Sequence, residues 1–215
     1  MKNDLIKRLL SSIFMLPISF FIIIKGGYFF ISFLIICLII SLIEWKKMLI
    51  NKVIKNFGIF FICLSFYSAY NLRFVDDSAS LYNFLFILLI CIFTDIGGFV
   101  FGKVLKGPKL SIISPNKTYA GVIGGFFFSV VFLYLILSFV SFFDNYNLIF
   151  NLKTIIHIIF LSLISQIGDL IISYFKRLSK IKDTGRLIPG HGGILDRIDG
   201  MIFVFPFALI LNLYL

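Results

Sequence analysis

Apolar runs of about twenty residues recur along this chain with only short charged segments between them, and no other feature narrows its fold as much. A helix needs roughly 20 apolar residues to cross about 30 Å of hydrocarbon. Seven runs meet that condition, near residues 9–24, 28–45, 57–72, 80–102, 119–142, 154–175 and 198–214. They are continuous rather than alternating, which excludes an outer-membrane barrel and leaves helices, whose backbone hydrogen bonds close within each segment. Composition agrees: 60% hydrophobic and 14% charged residues leave too little polar surface to cover a water-soluble globule. The sequence therefore predicts an all-α, polytopic integral membrane protein with about seven transmembrane helices. In the third run, Asn71 and Arg73 close the apolar stretch early, so a tilted or partly re-entrant helix is one reading there.

The basic start (Lys2, Lys7, Arg8) followed by an apolar run resembles a secretory signal, but no small-x-small cleavage site follows, so the run is expected to stay as a transmembrane helix. Charge bias tests the count independently. With the N-terminus inside, seventeen of the twenty Lys and Arg residues fall on inner segments, and only Lys25, Arg73 and Lys153 fall outside. The positive-inside rule then predicts an N-in, C-out topology. The net charge of +10 becomes mainly a property of the cytoplasmic face, suited to anionic lipid and anionic substrates. Cys37, Cys63 and Cys91 lie inside apolar runs without paired or metal-ligand spacing and read as packing residues. Residues 1–78 read as an N-terminal transmembrane scaffold, and residues 79–215 as the catalytic transmembrane domain.

The chain has ten acidic residues. Asp4, Glu44, Asp76, Asp77 and Asp144 lie at the chain start or near the ends of runs, where water can solvate them. Asp95, Asp169, Asp183, Asp196 and Asp199 stand apart. An ionised Asp at the centre of a span costs about 2.5–3.5 kcal/mol on insertion scales, so Asp169 is expected to face the protein interior with a partner. Asp169, Ser173, Lys176 and Arg177 stand at i, i+4, i+7 and i+8, one polar stripe on a helix. Asp196 and Asp199, three apart, share a face if the last helix already runs through them. Two such carboxylates repel unless a cation separates them or one is protonated, and oxygen-only ligands favour Mg²⁺ or Mn²⁺ over zinc. Ahead of them, Pro189-Gly190-His191-Gly192-Gly193 is a turn through which backbone can approach a ligand at a helix N-terminus. Lys176, Arg177, Lys180, Lys182, Arg186 and Arg197 flank it. Anion site, divalent metal and lipid face would then coincide, which points to phosphoryl or nucleotidyl transfer at the membrane surface.

A second polar block runs from Thr94 to Lys103, with Asp95 deep in an apolar run and Gly97, Gly98 and Gly102 open to approach by a helix or a substrate. Ser114-Pro115-Asn116-Lys117-Thr118 reads as a turn capping the fifth span, with Lys117 placed to meet an anion on the same side.

Residues Ser173 to Asp199, "SYFKRLSKIKDTGRLIPGHGGILDRID", resemble the phosphatidate cytidylyltransferase (CDP-diacylglycerol synthase) family: Ser, then Lys-Arg, Lys-Asp, Pro-Gly-His-Gly-Gly and Asp-Arg-x-Asp. Gln166-x-Gly168-Asp169, Ser114-Pro115-x-Lys117-Thr118 and the block from Asp95 to Gly102 extend the likeness over roughly the C-terminal 120 residues. Ile172 departs from it, standing where many relatives carry an acidic residue. The resemblance implies transfer of the cytidylyl group of CTP to phosphatidate, giving CDP-diacylglycerol and pyrophosphate for phospholipid synthesis. It implies a multi-pass protein of the inner (plasma) membrane with its site on the cytoplasmic side, a lipid-bilayer partner, no nucleic acid, and a homodimer. It assigns Mg²⁺, with a second cation as an option, to Asp169, Asp196 and Asp199. Catalytic roles fall to those residues with Lys182, Asp183 and Arg197. Substrate binding falls to Asp95, Ser114, Lys117, Thr118, Ser173, Lys176, Arg177, His191, Gly192 and Gly193. Two rival classes stay open on the residues: an ion or proton transporter using Asp95 and Asp169, and a CTP-dependent polyprenol kinase.

Overall fold

The computed structural model describes residues 17–74, 77–111, 114, 117–139, 150–185, 187 and 192–213. Among them the chain is mainly helical, with an isolated β-bridge between Lys109 and Thr118. The helices are α1 (residues 17–25), α2 (Gly27–Lys47), α3 (Lys52–Phe74), α4 (Asp77–Leu105), α5 (Tyr119–Phe139), α6 (Leu152–Leu178) and α7 (Leu195–Leu213). Five of them, α2 to α6, are long and apolar enough to cross a membrane. The helix α7 carries Asp196, Arg197 and Asp199 in its first turns and Pro206 in its interior. The third run proves longer than its hydropathy suggests: α3 continues through Asn71 and Arg73 as a 23-residue helix. Arg73 is tolerated because its guanidinium donates to the carbonyls of Ile23 (3.0 Å) and Ile24 at the end of α1. Carbonyls in the last turn of a helix have no intrahelical partner, so one side chain serves two of them at the end of α1.

Local chemistry fixes the helix ends. The Asn151 side chain accepts from the Thr154 amide (3.0 Å) and starts α6, while Lys176 and Arg177 occupy its last turn, where the helix dipole favours cations. Thr118 caps α5 as expected: its hydroxyl accepts from the Gly121 amide (3.1 Å).

Glycine permits the closest helix approach in the fold. A β-carbon on Gly121 would come 2.8 Å from the Gly98 carbonyl oxygen, and one on Gly97 would run into Gly124 and Phe128. Of the two partners expected for the glycines of α4, the structure supplies a helix. In hydrocarbon, such backbone proximity replaces hydrophobic driving force with van der Waals contact. Polar contacts join the interior: Thr94 Oγ1 donates to the Ile90 carbonyl or the Ser162 hydroxyl (2.8 Å), and Gln166 Nε2 reaches the Val122 carbonyl of α5.

The buried apolar residues form two clusters. The larger centres on α4 (Phe84, Leu85, Ile87, Ile90) with Ile158 and Leu161 of α6 and Val204 of α7. The smaller gathers Trp45, Met48, Ile62, Phe66, Ile172, Leu195 and Ile202, drawing the end of α2 against α3, α6 and the start of α7. Ile172 is thereby buried in apolar packing. Outward faces carry Phe60, Phe99, Ile123 and Leu152, the pattern of helices facing lipid. Cys37, Cys63 and Cys91 are unpaired thiols.

Candidate active site

Three carboxylates, Asp95 of α4, Asp169 of α6 and Asp199 of α7, lie within electrostatic reach of one another. Asp95, Asp169 and Asp199 repel one another electrostatically, and Lys117, Lys176 and Arg197 provide the opposing charge. Helix direction explains this: α4 and α6 cross the same way, so their C-terminal ends share a side with the N-termini of α5 and α7. Asp169 forms an ion pair with Lys117, which lies in the turn leading into α5. That turn is pinned by the bridge at Thr118 and by Leu110 donating to the Lys117 carbonyl (2.8 Å). Ser173, one turn on from Asp169, donates to Asp169 Oδ1 (3.3 Å), as the stripe predicts. Asp95 is exposed on α4 within this polar zone.

The helix does run through Asp196 and Asp199, but the two carboxylates serve different partners. Asp199 belongs to the cluster and also accepts from the Gly200 amide (2.9 Å). Asp196 Oδ1 takes the ammonium of Lys176 (2.8 Å). Its Oδ2 accepts from the amides of Thr184 (2.8 Å) and Gly193 (2.9 Å), with the Thr184 hydroxyl at 3.0 Å. Both oxygens are thus engaged by the chain, and the structure does not bring Asp196 together with Asp169 and Asp199. Among the described residues, no group of three or more His, Cys, Asp and Glu side chains is gathered tightly enough to hold a metal ion. Asp95, Asp169 and Asp199 offer oxygen donors only, the type that hard cations such as Mg²⁺ take, without being gathered around a common point.

Glu44 corrects the expectation that it is a solvated residue at a span end. It is only 4% exposed. Its carboxylate accepts from the Ile194 amide (3.1 Å), the Leu195 amide (2.9 Å) and the Thr184 hydroxyl (2.8 Å). It therefore caps α7 from a helix some 150 positions away in the chain. Its sequence signal was weak: a lone acid beside Trp45 and two lysines looks like a membrane-interface residue until the fold brings α2 to α7.

The remaining residues divide. Arg177 is exposed and donates to the Ile181 carbonyl (3.1 Å), so it leaves the stripe. Lys182 and Asp183 are exposed on the loop after α6. Ser114 accepts from the Lys117 amide (3.0 Å) and holds the turn. Gly192 takes a left-handed φ of +85°, and Gly193 is buried against Glu44, with no room for a β-carbon. His191, with Arg186, Pro189 and Gly190, lies outside the described residues. Beside the first turn of α7, an apolar cavity of about 760 Å³ is lined by Phe30, Phe66, Phe84 and Met201, together with Ile194 and Arg197. Arg197 thus belongs to the charged cluster and to the apolar cavity.

Residues 59–215 match the model of the cytidylyltransferase family. The chain belongs to the cytidylyltransferase family. Within it, the chain is 45% identical over 135 residues to the phosphatidate cytidylyltransferase of Staphylococcus aureus strain COL, an overlap of 62% of this chain and 50% of that protein. It is 45% identical over 136 residues to the namesake of Staphylococcus haemolyticus and 44% over 135 to that of Staphylococcus saprophyticus, with the same coverage. The chain spans about half the length of the curated relatives it matches. Every carboxylate of the cluster, and Lys117, Lys176 and Arg197, falls inside the stretch matched to the cytidylyltransferase family; Glu44 falls outside it.

Proposed function

We propose that the protein transfers the cytidylyl group of CTP to phosphatidate, releasing pyrophosphate, at the cytoplasmic side of the inner membrane. One observation carries this reading: in a chain of the cytidylyltransferase family, the ion pairs Asp169–Lys117 and Lys176–Asp196 stand on otherwise apolar helices, with Asp95, Asp199 and Arg197 within electrostatic reach.

A phosphatidate phosphate oxygen, already ionised near neutral pH, attacks the α-phosphorus of CTP; the bond to the β-phosphate oxygen breaks and pyrophosphate leaves. No strong general base is required. Two polyanions must be brought together, so positioning and charge neutralisation dominate the barrier. Asp169 and Asp199 would hold Mg²⁺, an ion commonly bound by one or two carboxylates beside substrate phosphates. When bound, the ion neutralises charge on the triphosphate and on the departing pyrophosphate. Lys117 exchanges its pairing with Asp169 for a phosphate as CTP enters. Arg197 holds the lipid phosphate while the acyl chains lie along the apolar cavity. Lys176 and Asp196 keep the first turn of α7 in register. The excess of cations on inner segments supports the cytoplasmic placement.

The test is transfer from CTP labelled at the α-phosphate to phosphatidate vesicles by the purified chain. Label entering lipid is expected. Label found only in soluble CDP would replace the reading with a kinase, and flux without CTP consumption would replace it with a transporter.

A further inference from the structure

Glu44 lies outside the stretch matched to the family, yet it is the most deeply buried acid of the site region. We infer that Glu44 is a positioning residue: from α2 it fixes Thr184 and the head of α7, and through Thr184 it sets the Asp196 carboxylate. The inference rests on the cytidylyl-transfer reading for its catalytic readout.

Burying a carboxylate is costly unless hydrogen bonds replace its water. Here two amides at the N-terminus of α7 and one hydroxyl do so, and the helix dipole adds to them. A β-carbon on Gly185 or Gly193 would collide with the same carboxylate, so the loop is folded tightly onto it from both ends. The Thr184 hydroxyl stands 2.8 Å from Glu44 Oε2 and 3.0 Å from Asp196 Oδ2. It has one proton and donates to one carboxylate at a time, so the two acids share a single donor. Asp196 in turn engages Lys176 of α6. The chain Glu44, Thr184, Asp196, Lys176 therefore ties α2, the loop, α7 and α6 into one hydrogen-bonded unit, and the angle at which α7 presents Asp199 depends on it. Trp45, packed edge-on against Phe175 at 5.3 Å, holds the end of α2 in place for this.

The test uses the full chain in phosphatidate-containing vesicles, with Glu44→Gln, Thr184→Val, Thr184→Ser and the double variant Glu44→Gln/Thr184→Val. Glu44→Gln and Thr184→Val are each expected to lower kcat about ten- to hundred-fold, the loss of one charge-assisted hydrogen bond, with KM for CTP within about twofold. Thr184→Ser, which keeps the hydroxyl, recovers most of the loss. The double variant should be no slower than the slower single variant. Hydrogen exchange of the peptide covering residues 183–198 should quicken at least about tenfold in Glu44→Gln, as the carboxamide keeps one acceptor oxygen where the carboxylate has two, and no charge. Unchanged kcat and exchange in Glu44→Gln, or losses that multiply in the double variant, would overturn the inference. If Glu44→Gln fails to accumulate in the membrane, equal activity of Thr184→Val and Thr184→Ser overturns it. A wild-type chain that transfers no label would sink the transfer reading alone, because the exchange comparison still decides the link from Glu44 to α7.

Discussion

Replacing Lys176 with Met separates the structural claim about Asp196 from any claim about catalysis. The Lys176 and Asp196 side chains are 11% and 7% exposed, so solvent screens the pair weakly. Breaking a buried pair by removing one partner costs about 3–5 kcal/mol, because the remaining charge is uncompensated. Asp196 keeps the Thr184 and Gly193 amides, which places the cost near the lower end, about 3 kcal/mol. For a chain of this size 1 kcal/mol moves Tm by roughly 2–4 °C, so Lys176→Met should lower the apparent Tm in detergent by about 6–12 °C at fixed heating rate. The double variant Lys176→Met/Asp196→Asn removes the orphaned charge and should melt several degrees above the single one. A shift below about 2 °C for Lys176→Met, or a double variant melting lower than it, would refute the reasoning that these groups form a buried, mutually dependent pair.

Asp169→Asn and Asp199→Asn are each expected to lower lipid labelling at least about 10²-fold while leaving membrane insertion intact, since they lose transition-state electrostatics rather than packing; near-normal labelling at saturating Mg²⁺ removes the residue from the site. Lys117→Ala should raise the CTP concentration for half-maximal rate roughly ten- to hundred-fold, and an unchanged nucleotide dependence would leave it as a partner of Asp169 only. Gly121→Leu should separate α4 from α5 and lower the yield of folded protein in detergent, because the Gly98 carbonyl occupies the space its side chain needs; a normally folded variant would show that the contact is not required.

Sequence and fold contributed different parts of this picture. Hydropathy alone predicts membrane helices, because hydrocarbon leaves the backbone no other way to satisfy its polar groups. The stripe from Asp169 to Ser173 and the capping turn at Thr118 were likewise readable, since both depend on spacing within a few residues. Arg177 shows where spacing stops being enough: it shares the stripe by count, but the loop carbonyl at Ile181 captures it. Asp196 and Asp199 show the same limit, for helical periodicity puts them on one side while Lys176 and Thr184 bond directly to the first. The length of α3 escaped hydropathy because Arg73 finds its partners at the end of α1, about fifty residues earlier.

Residue order was sufficient for those features whose cause is local or is set by the solvent: spans, caps, glycine contact faces, and the type of chemistry that carboxylates and cations in lipid permit. The partner that each buried charge takes was settled only when the helices assembled. Glu44 is the clearest instance, because an acid's surroundings depend on which helix ends are packed against it, and no short-range pattern in the chain records that α2 will meet α7.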